Sequence, residues 1–200
     1  MRTLFATILS IALLSNARAA DALKPDSQGY IRDWLMLAPI PVPEGRSGAD
    51  LILEDQIKNE AALQPKAGDK ITINAIELTW RPITASTNYF DFNAILKSVN
   101  DHTVGYMVTY IDCDHEMPNV IMAVGSNDEG RICFNGVDIY AFTEPRPLEL
   151  DADKGKITLK KGVNVIIFKI FNEQNSWQGA MRLLDKSGAP LTNLRIKLSP

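Results

Sequence analysis

The chain has 200 residues, with 21 Lys and Arg against 24 Asp and Glu and a formal net charge of −3 at pH 7. Such a nearly balanced, mildly acidic surface excludes a nucleic-acid binder, which needs a basic stripe to displace counterions. It also argues against anionic membrane surfaces and leaves a neutral partner, a glycan or a protein, as the natural one.

Residues 1–19 carry the three parts of a secretory signal: Arg2, the apolar run Leu4 to Leu14, and small residues at Ala17 and Ala19. The sequence predicts cleavage before Ala20 and a soluble mature chain that is periplasmic or secreted. The run is too short for a membrane-spanning helix, and no cysteine follows the cut to take a lipid. Residues 20–200 are expected to form a single domain.

The mature chain then reads as strands separated by turn signals. Ile31–Ala38 is the first, ended by Pro39-Ile-Pro41-Val-Pro43, which cannot join a central ladder. Leu51–Leu63 is the one helix expected, stopped at Pro65. Lys70–Ile73 and Ile76–Arg81 follow as short strands, the second with Ile76, Leu78 and Trp80 on one face. Tyr106–Cys113, Val120–Val124, Arg131–Asn135 and Val137–Phe142 come in quick succession. The Gly125–Gly130 segment is a polar turn between two of these, and Asn135-Gly136 is a strong hairpin signal. Beyond the Pro145-Arg146-Pro147 loop, Ile157–Leu159 alternates and Lys161-Gly162 turns the chain into Val163–Phe171. That stretch is apolar on both faces, the mark of a central strand. Trp177–Leu184 and Leu194–Leu198 complete an all-β antiparallel sandwich of about ten strands.

Chemistry-bearing clusters are sparse. The chain has two imidazole bases, His102 and His115, and Ser126 lacks the elbow motif of a hydrolase nucleophile, so no enzyme is expected. Asp112, Asp114, His115 and Glu116 crowd one strand end, and Asp151-Ala-Asp153 begins like a calcium loop without its bidentate Glu. A solvated acidic turn is the preferred reading of both, with a structural Ca²⁺ as the alternative. Cys113 and Cys133 are the only cysteines, and export leaves open either a disulfide or two buried small hydrophobes. Trp34, Trp80 and Trp177 are the candidates for a sugar-stacking platform. Strand parity favours core positions for all three, least firmly for Trp80 and Trp177 beside loops.

Four segments carry a family resemblance. Trp34-Leu-Met-Leu-Ala-Pro-Ile-Pro41 resembles the W-L-x-L-G-P-F-P opening of galactose-binding-like β-sandwich domains. Gly125–Gly136 is similar to their G-S-D-D-G-x-x-V-W-L-N-G hairpin, and Thr158–Asn172 to their L-K-x-G-x-N-x-L-x-x-K-V strand pair. Trp177 and Arg182 fit their W-x-x-x-x-R-L segment. The likeness covers Tyr30 to Leu198 and implies a jelly-roll sandwich of the kind found in exported bacterial proteins, frequently beside glycoside hydrolases. The hairpin also resembles the Asp-Asp turn of protective-antigen-type lectin domains, where the acids hold Ca²⁺ and sugar; here the pair reads Asn127-Asp128.

The resemblance implies a non-catalytic carbohydrate-binding module that assists polysaccharide recognition, with Asn127, Asp128 and Glu129 as polar contacts and Trp177 as the stacking surface. The alternative is a structural or protein-interaction domain of envelope or extracellular assemblies. That alternative predicts three buried tryptophans and no aromatic-lined groove.

Overall fold

The computed structural model describes residues 23–200; the predicted signal segment, residues 1–19, lies outside them. The described residues are mostly antiparallel β-structure. They form β1 (Asp33–Pro41), α1 (Gly48–Leu53), a 3-10 turn (Glu60–Ala62), β2 (Lys70–Ile73), β3 (Ile76–Thr79), β4 (Arg81–Thr84), β5 (Phe90–Asp91) and α2 (Phe92–Leu96). There follow β6 (Thr103–Cys113), β7 (Met117–Ser126), β8 (Gly130–Phe134), β9 (Val137–Phe142), β10 (Asp153–Leu159), β11 (Gly162–Asn172), β12 (Gln178–Leu184) and β13 (Arg195–Lys197).

The larger sheet runs β4-β1-β6-β11-β8-β9, with β13 also paired to β6, and the smaller runs β10-β7-β12-β5. A common core joins them: Trp34, Met107, Ile132, Ile166, Phe168 and Ile170 from the larger sheet meet Met122, Val124, Ile157, Met181 and Leu183 from the smaller. On its other face the larger sheet packs Leu35, Val108, Val165, Ile167 and Phe171 against Leu51, Ile52, Ile57, Ile73 and Trp80. Both faces of β11 are therefore covered, which is why its sequence is apolar without alternation.

Three differences from the sequence reading have local physical causes. The helix expected over Leu51–Leu63 stops at Leu53, because the carbonyls that would extend it are taken by cations of the sheet. Lys169 Nζ donates to Ile52 O and Glu54 O, and Arg131 Nη1 donates to Leu53 O. Chain direction then reverses through Asn59 in the left-handed region, φ 57°, before the 3-10 turn.

The proline run after Ala38 does join the ladder. β1 pairs with β6 through Ile40↔Val104 and Pro41↔Thr103, after a register shift past Leu37. β4 pairs only with Asp33–Met36, so this end of β1 has a neighbour on one side and Pro41 leaves no ladder bond unmade there. Finally, α2 and β5 occupy a stretch with no expected element. Asp91 caps α2 by accepting the Ala94 N–H. Phe90 and Phe92 enter the core beside it, with ring centroids 5.5 Å apart at 86°.

The turn signals hold. Asn135 and Gly136 both have positive φ, 49° and 83°, the combination a two-residue hairpin needs.

Candidate functional site

The four residues expected to contact ligand are placed around one corner, where β7 passes to β8. Asn127 donates its backbone N–H to Gln178 O and its Nδ2 to Arg146 O. Asp128, φ 59°, donates its N–H to Arg146 O, and its carboxylate accepts the Glu173 N–H at 2.9 Å. Ser126 Oγ donates to Asp128 O. The turn is thus a clamp that ties the β9–β10 connection, the end of β11 and the start of β12 to one point.

Glu129 faces away from that corner, on the outer side of the larger sheet, 3% exposed. Its carboxyl lies against Gly48, where an added Cβ would land among the carboxyl atoms. Its Oε2 has no hydrogen-bond partner among the described residues. Burial, chiefly, and the neighbouring charges of Asp128 and Glu173 raise its pKa. Burial likewise raises that of Asp128. Neither carboxylate is presented to solvent as a sugar contact.

Trp177 requires a plain correction. It is fully buried, stacked on Phe92 with centroids 4.1 Å apart at 19°, and its Nε1 donates to Ile170 O. No face of its ring is left for a ligand. Gly105 stands against it because a Cβ there would come within 2.6 Å of both Trp177 and Phe92. Trp34 is 0% and Trp80 3% exposed, so all three tryptophans belong to the cores.

The residues of the resembling motifs are equally occupied. Asn164 accepts the Lys160 N–H and donates to Lys160 O, closing the β10–β11 turn. Asn135 donates Nδ2 to Asn164 and accepts the Val165 N–H. These asparagines build turns.

Most of the carboxylates considered for calcium are engaged with cations of the chain. Asp151 accepts Arg182 and has Lys154 nearby, Asp153 accepts Arg146 and Tyr140, and Arg195 pairs with both Asp112 and Asp114. Asp112, Asp114, Asp151 and Asp153 each face a cation. No family model matches the chain, and no curated protein matches it. Geometry alone therefore bears on function.

The disulfide left open by the sequence is closed off by the topology. Cys113 lies opposite Gly162 and Cys133 opposite Ile167 on the intervening β11. Five residues along and two strands across separate their Cα atoms by about 19 Å, against an upper limit of about 7 Å for a bridge. They also point to opposite faces of the sheet, Cys113 into the common core and Cys133 into the outer one. Both are free and buried.

What the sequence reading missed is a cleft at the open side of the two sheets, where the terminal strands β9 and β10 lie near each other. Its volume is about 270 Å³, and it is lined by Met122, Val124, Ile132, Ile139, Tyr140 and the segment Asp153–Ile157. The cleft exists because of one residue. Along β10, Ile157 and Leu159 point into the common core, so by period-2 alternation Gly155 and Asp153 point inward too. A Cβ at Gly155 would meet nothing within 4 Å. At one end of the cleft Tyr140 Oη and Arg146 Nη2 both donate to Asp153 Oδ2, at 2.8 and 2.6 Å. Arg146 also lies 3.6 Å over the Phe142 ring. The readable signal was a glycine in mid-strand, which marks a bulge or a close approach by something else.

No helix among the described residues is long and apolar enough to cross a membrane.

Proposed function

We propose that the chain is an exported, non-catalytic binding domain of jelly-roll, galactose-binding-like architecture, and that it engages a protein rather than a glycan. The observation that carries this reading is the burial of all three tryptophans, which removes the platform a pyranose ring would stack on. Asp128 and Glu129 support it further, since the Asp128 carboxylate is spent on a structural clamp and that of Glu129 is buried beneath α1. The cleft beside β9 supplies the surface instead. Ile139, which lines it, is 40% exposed, an apolar side chain suited to contact with a partner protein.

A photo-crosslinking amino acid at Ile139 tests the reading in the producing cell, with Val99, 72% exposed, as the control position. A covalent protein adduct of discrete mass at position 139 and none at 99 is the expected result. Retardation of the purified mature chain in polysaccharide-containing gels, with no adduct at 139, would return the function to glycan binding.

A further inference from the structure

Apart from the three-residue β13, which pairs with β6 and bridges to Leu23, the two main sheets end on four strands, and three of them are unsuited to pairing with another chain. β4 contains Pro82, and β5 has two residues. β9 carries a bulge: Ile132 pairs with Tyr140 and Cys133 with Asp138, which leaves Ile139 as an extra residue. Bulges, prolines and short length are the ordinary devices that protect sheet edges.

β10 has no proline and is seven residues long, and up to Ile157 its edge is guarded only by the exposed lysines Lys154 and Lys156. From Asp153 to Ile157 its register against β7 is unbroken, Asp153↔Val124 through Ile157↔Val120, and the irregularity comes only afterwards. Among the described residues its other side has no strand partner. Five residues of regular backbone, about 17 Å, stand open beside an apolar cleft.

We propose that β10 binds an extended acidic segment of a partner protein by strand addition, with an aliphatic side chain of that segment entering the space at Gly155. The inference rests on the interaction-domain reading above and names its ligand. Charge selects the occupant. Lys154 and Lys156 alternate with Gly155 and are exposed on the outer face of β10, so a paired strand would place its own alternate side chains opposite them. Glutamate or aspartate there is favoured, whereas lysine is disfavoured by like charge. A second copy of this chain pairing β10 with β10 would bring lysines together and is excluded on the same ground. The inner side chains of the added strand would fall between Gly155 and Ile139, covering an isoleucine that is now 40% exposed. This is the usual division of labour in strand addition: main-chain bonds hold the segment and pockets for alternate side chains select it.

The test is fluorescence anisotropy of the mature chain with a labelled nine-residue peptide alternating glutamate and leucine. Saturable binding is expected, weakened about ten-fold by the double reversal Lys154→Glu, Lys156→Glu and similarly by Gly155→Leu, with Tm confirming that each variant folds. The alternating lysine–leucine peptide should not bind. Equal binding of the two peptides, no effect of Gly155→Leu, no binding of any peptide, or a concentration-dependent dimer would each overturn the strand inference. The crosslink at Ile139 is read separately, so an adduct there without peptide binding removes this ligand and leaves the interaction-domain reading standing.

Discussion

Replacing Glu60 by Gln tests the buried charge network that fastens the α1 segment to the larger sheet. Glu60 is 1% exposed, as is Lys169, which lies in the middle of an otherwise apolar strand. Glu60 Oε1 accepts Arg131 Nη1 at 2.8 Å, and its Oε2 accepts the Tyr106 hydroxyl and the Gln56 N–H. Lys169 Nζ lies 3.5 Å from the same carboxylate. Arg131 keeps Asp55 and Asp138 when Glu60 is neutralised. For Lys169, Glu60 is the one carboxylate within ion-pair distance among the described residues, so Glu60→Gln leaves it cationic against backbone carbonyls alone.

Removing one partner of a buried pair costs about 3–5 kcal/mol. A ceiling comes from deprotonation: neutralising a lysine of ordinary pKa ~10.4 at pH 7 costs about 4.6 kcal/mol. The expected loss of about 3–4 kcal/mol corresponds to roughly 10 °C in Tm for a domain of this size. The variant should also carry a pH signature. Burial already lowers the Lys169 pKa, and losing Glu60 lowers it further, so the unfolded chain binds more protons than the folded one. Stability of Glu60→Gln relative to the parent must then recover as pH rises toward the ordinary lysine range. Urea unfolding of parent and variant at neutral and alkaline pH measures both effects. A loss below about 1 kcal/mol, or one indifferent to pH, would show that Lys169 is held by the Ile52 and Glu54 carbonyls and that Glu60 is incidental.

Three further outcomes follow from the same structure. Both cysteines should resist a chromogenic thiol reagent in the native protein and titrate as two thiols after unfolding, because burial raises the Cys113 pKa and, with its bond to Asp138, pushes that of Cys133 up to about 12; a single thiol or none in urea would contradict the topology. Gly105→Ala should destabilise by about 1–3 kcal/mol by driving a Cβ into the Trp177–Phe92 stack, measured as a lower urea midpoint, and an unchanged midpoint would refute the packing. Glu129→Gln should stabilise the protein at neutral pH and not in acid: the raised carboxyl pKa of the folded state makes stability fall as pH rises through the ordinary carboxylate range and beyond, and Gln removes that slope, so parallel Tm–pH curves for the two proteins would refute it.

The strand pattern was legible wherever one physical signal dominated. The continuous apolar run of β11 and the Asn135-Gly136 hairpin each reported a local cause that the fold does not overrule, whereas the strand expected over Ile76–Arg81 is split at Trp80 between β3 and β4, which belong to different sheets, and leaves Ile76 exposed. Glu60 and Lys169 were not legible as partners, because they are 109 residues apart and meet only when α1 lies down on the sheet. The shortened α1 follows from that meeting, since its carbonyls bond to Lys169 and Arg131, and no propensity of Leu51–Leu63 encodes it. The surroundings of the candidate contacts were not legible for a related reason: Asn127 and Asp128 are residue types both of polar ligand contacts and of turns, and a sequence motif does not tell the two uses apart. Trp177 was the more decidable case, because it shares a strand face with Met181 and Leu183, and that parity alone pointed inward.

The covering of the larger sheet also leaves its margins as the place where a strand could be added to it. A typical large sheet in such a fold keeps one face for the core and leaves the other to water. Here the second face is closed by α1, the β2–β3 hairpin and Trp80, and clamped by Lys169 and Arg131 through Glu60. An added strand is therefore limited to the sheet margins, and at three of those margins a proline, a bulge or a two-residue strand blocks the ladder. At the fourth, Gly155 lacks the side chain that would have completed the core between Met122 and Tyr140. A leucine at that position would fill part of the cleft and gain a fraction of the about 1.5–3 kcal/mol of full burial, since the position is open. A purely structural role should therefore tolerate Gly155→Leu and gain stability from it, whereas a binding role predicts that the same change raises Tm while weakening the acidic peptide.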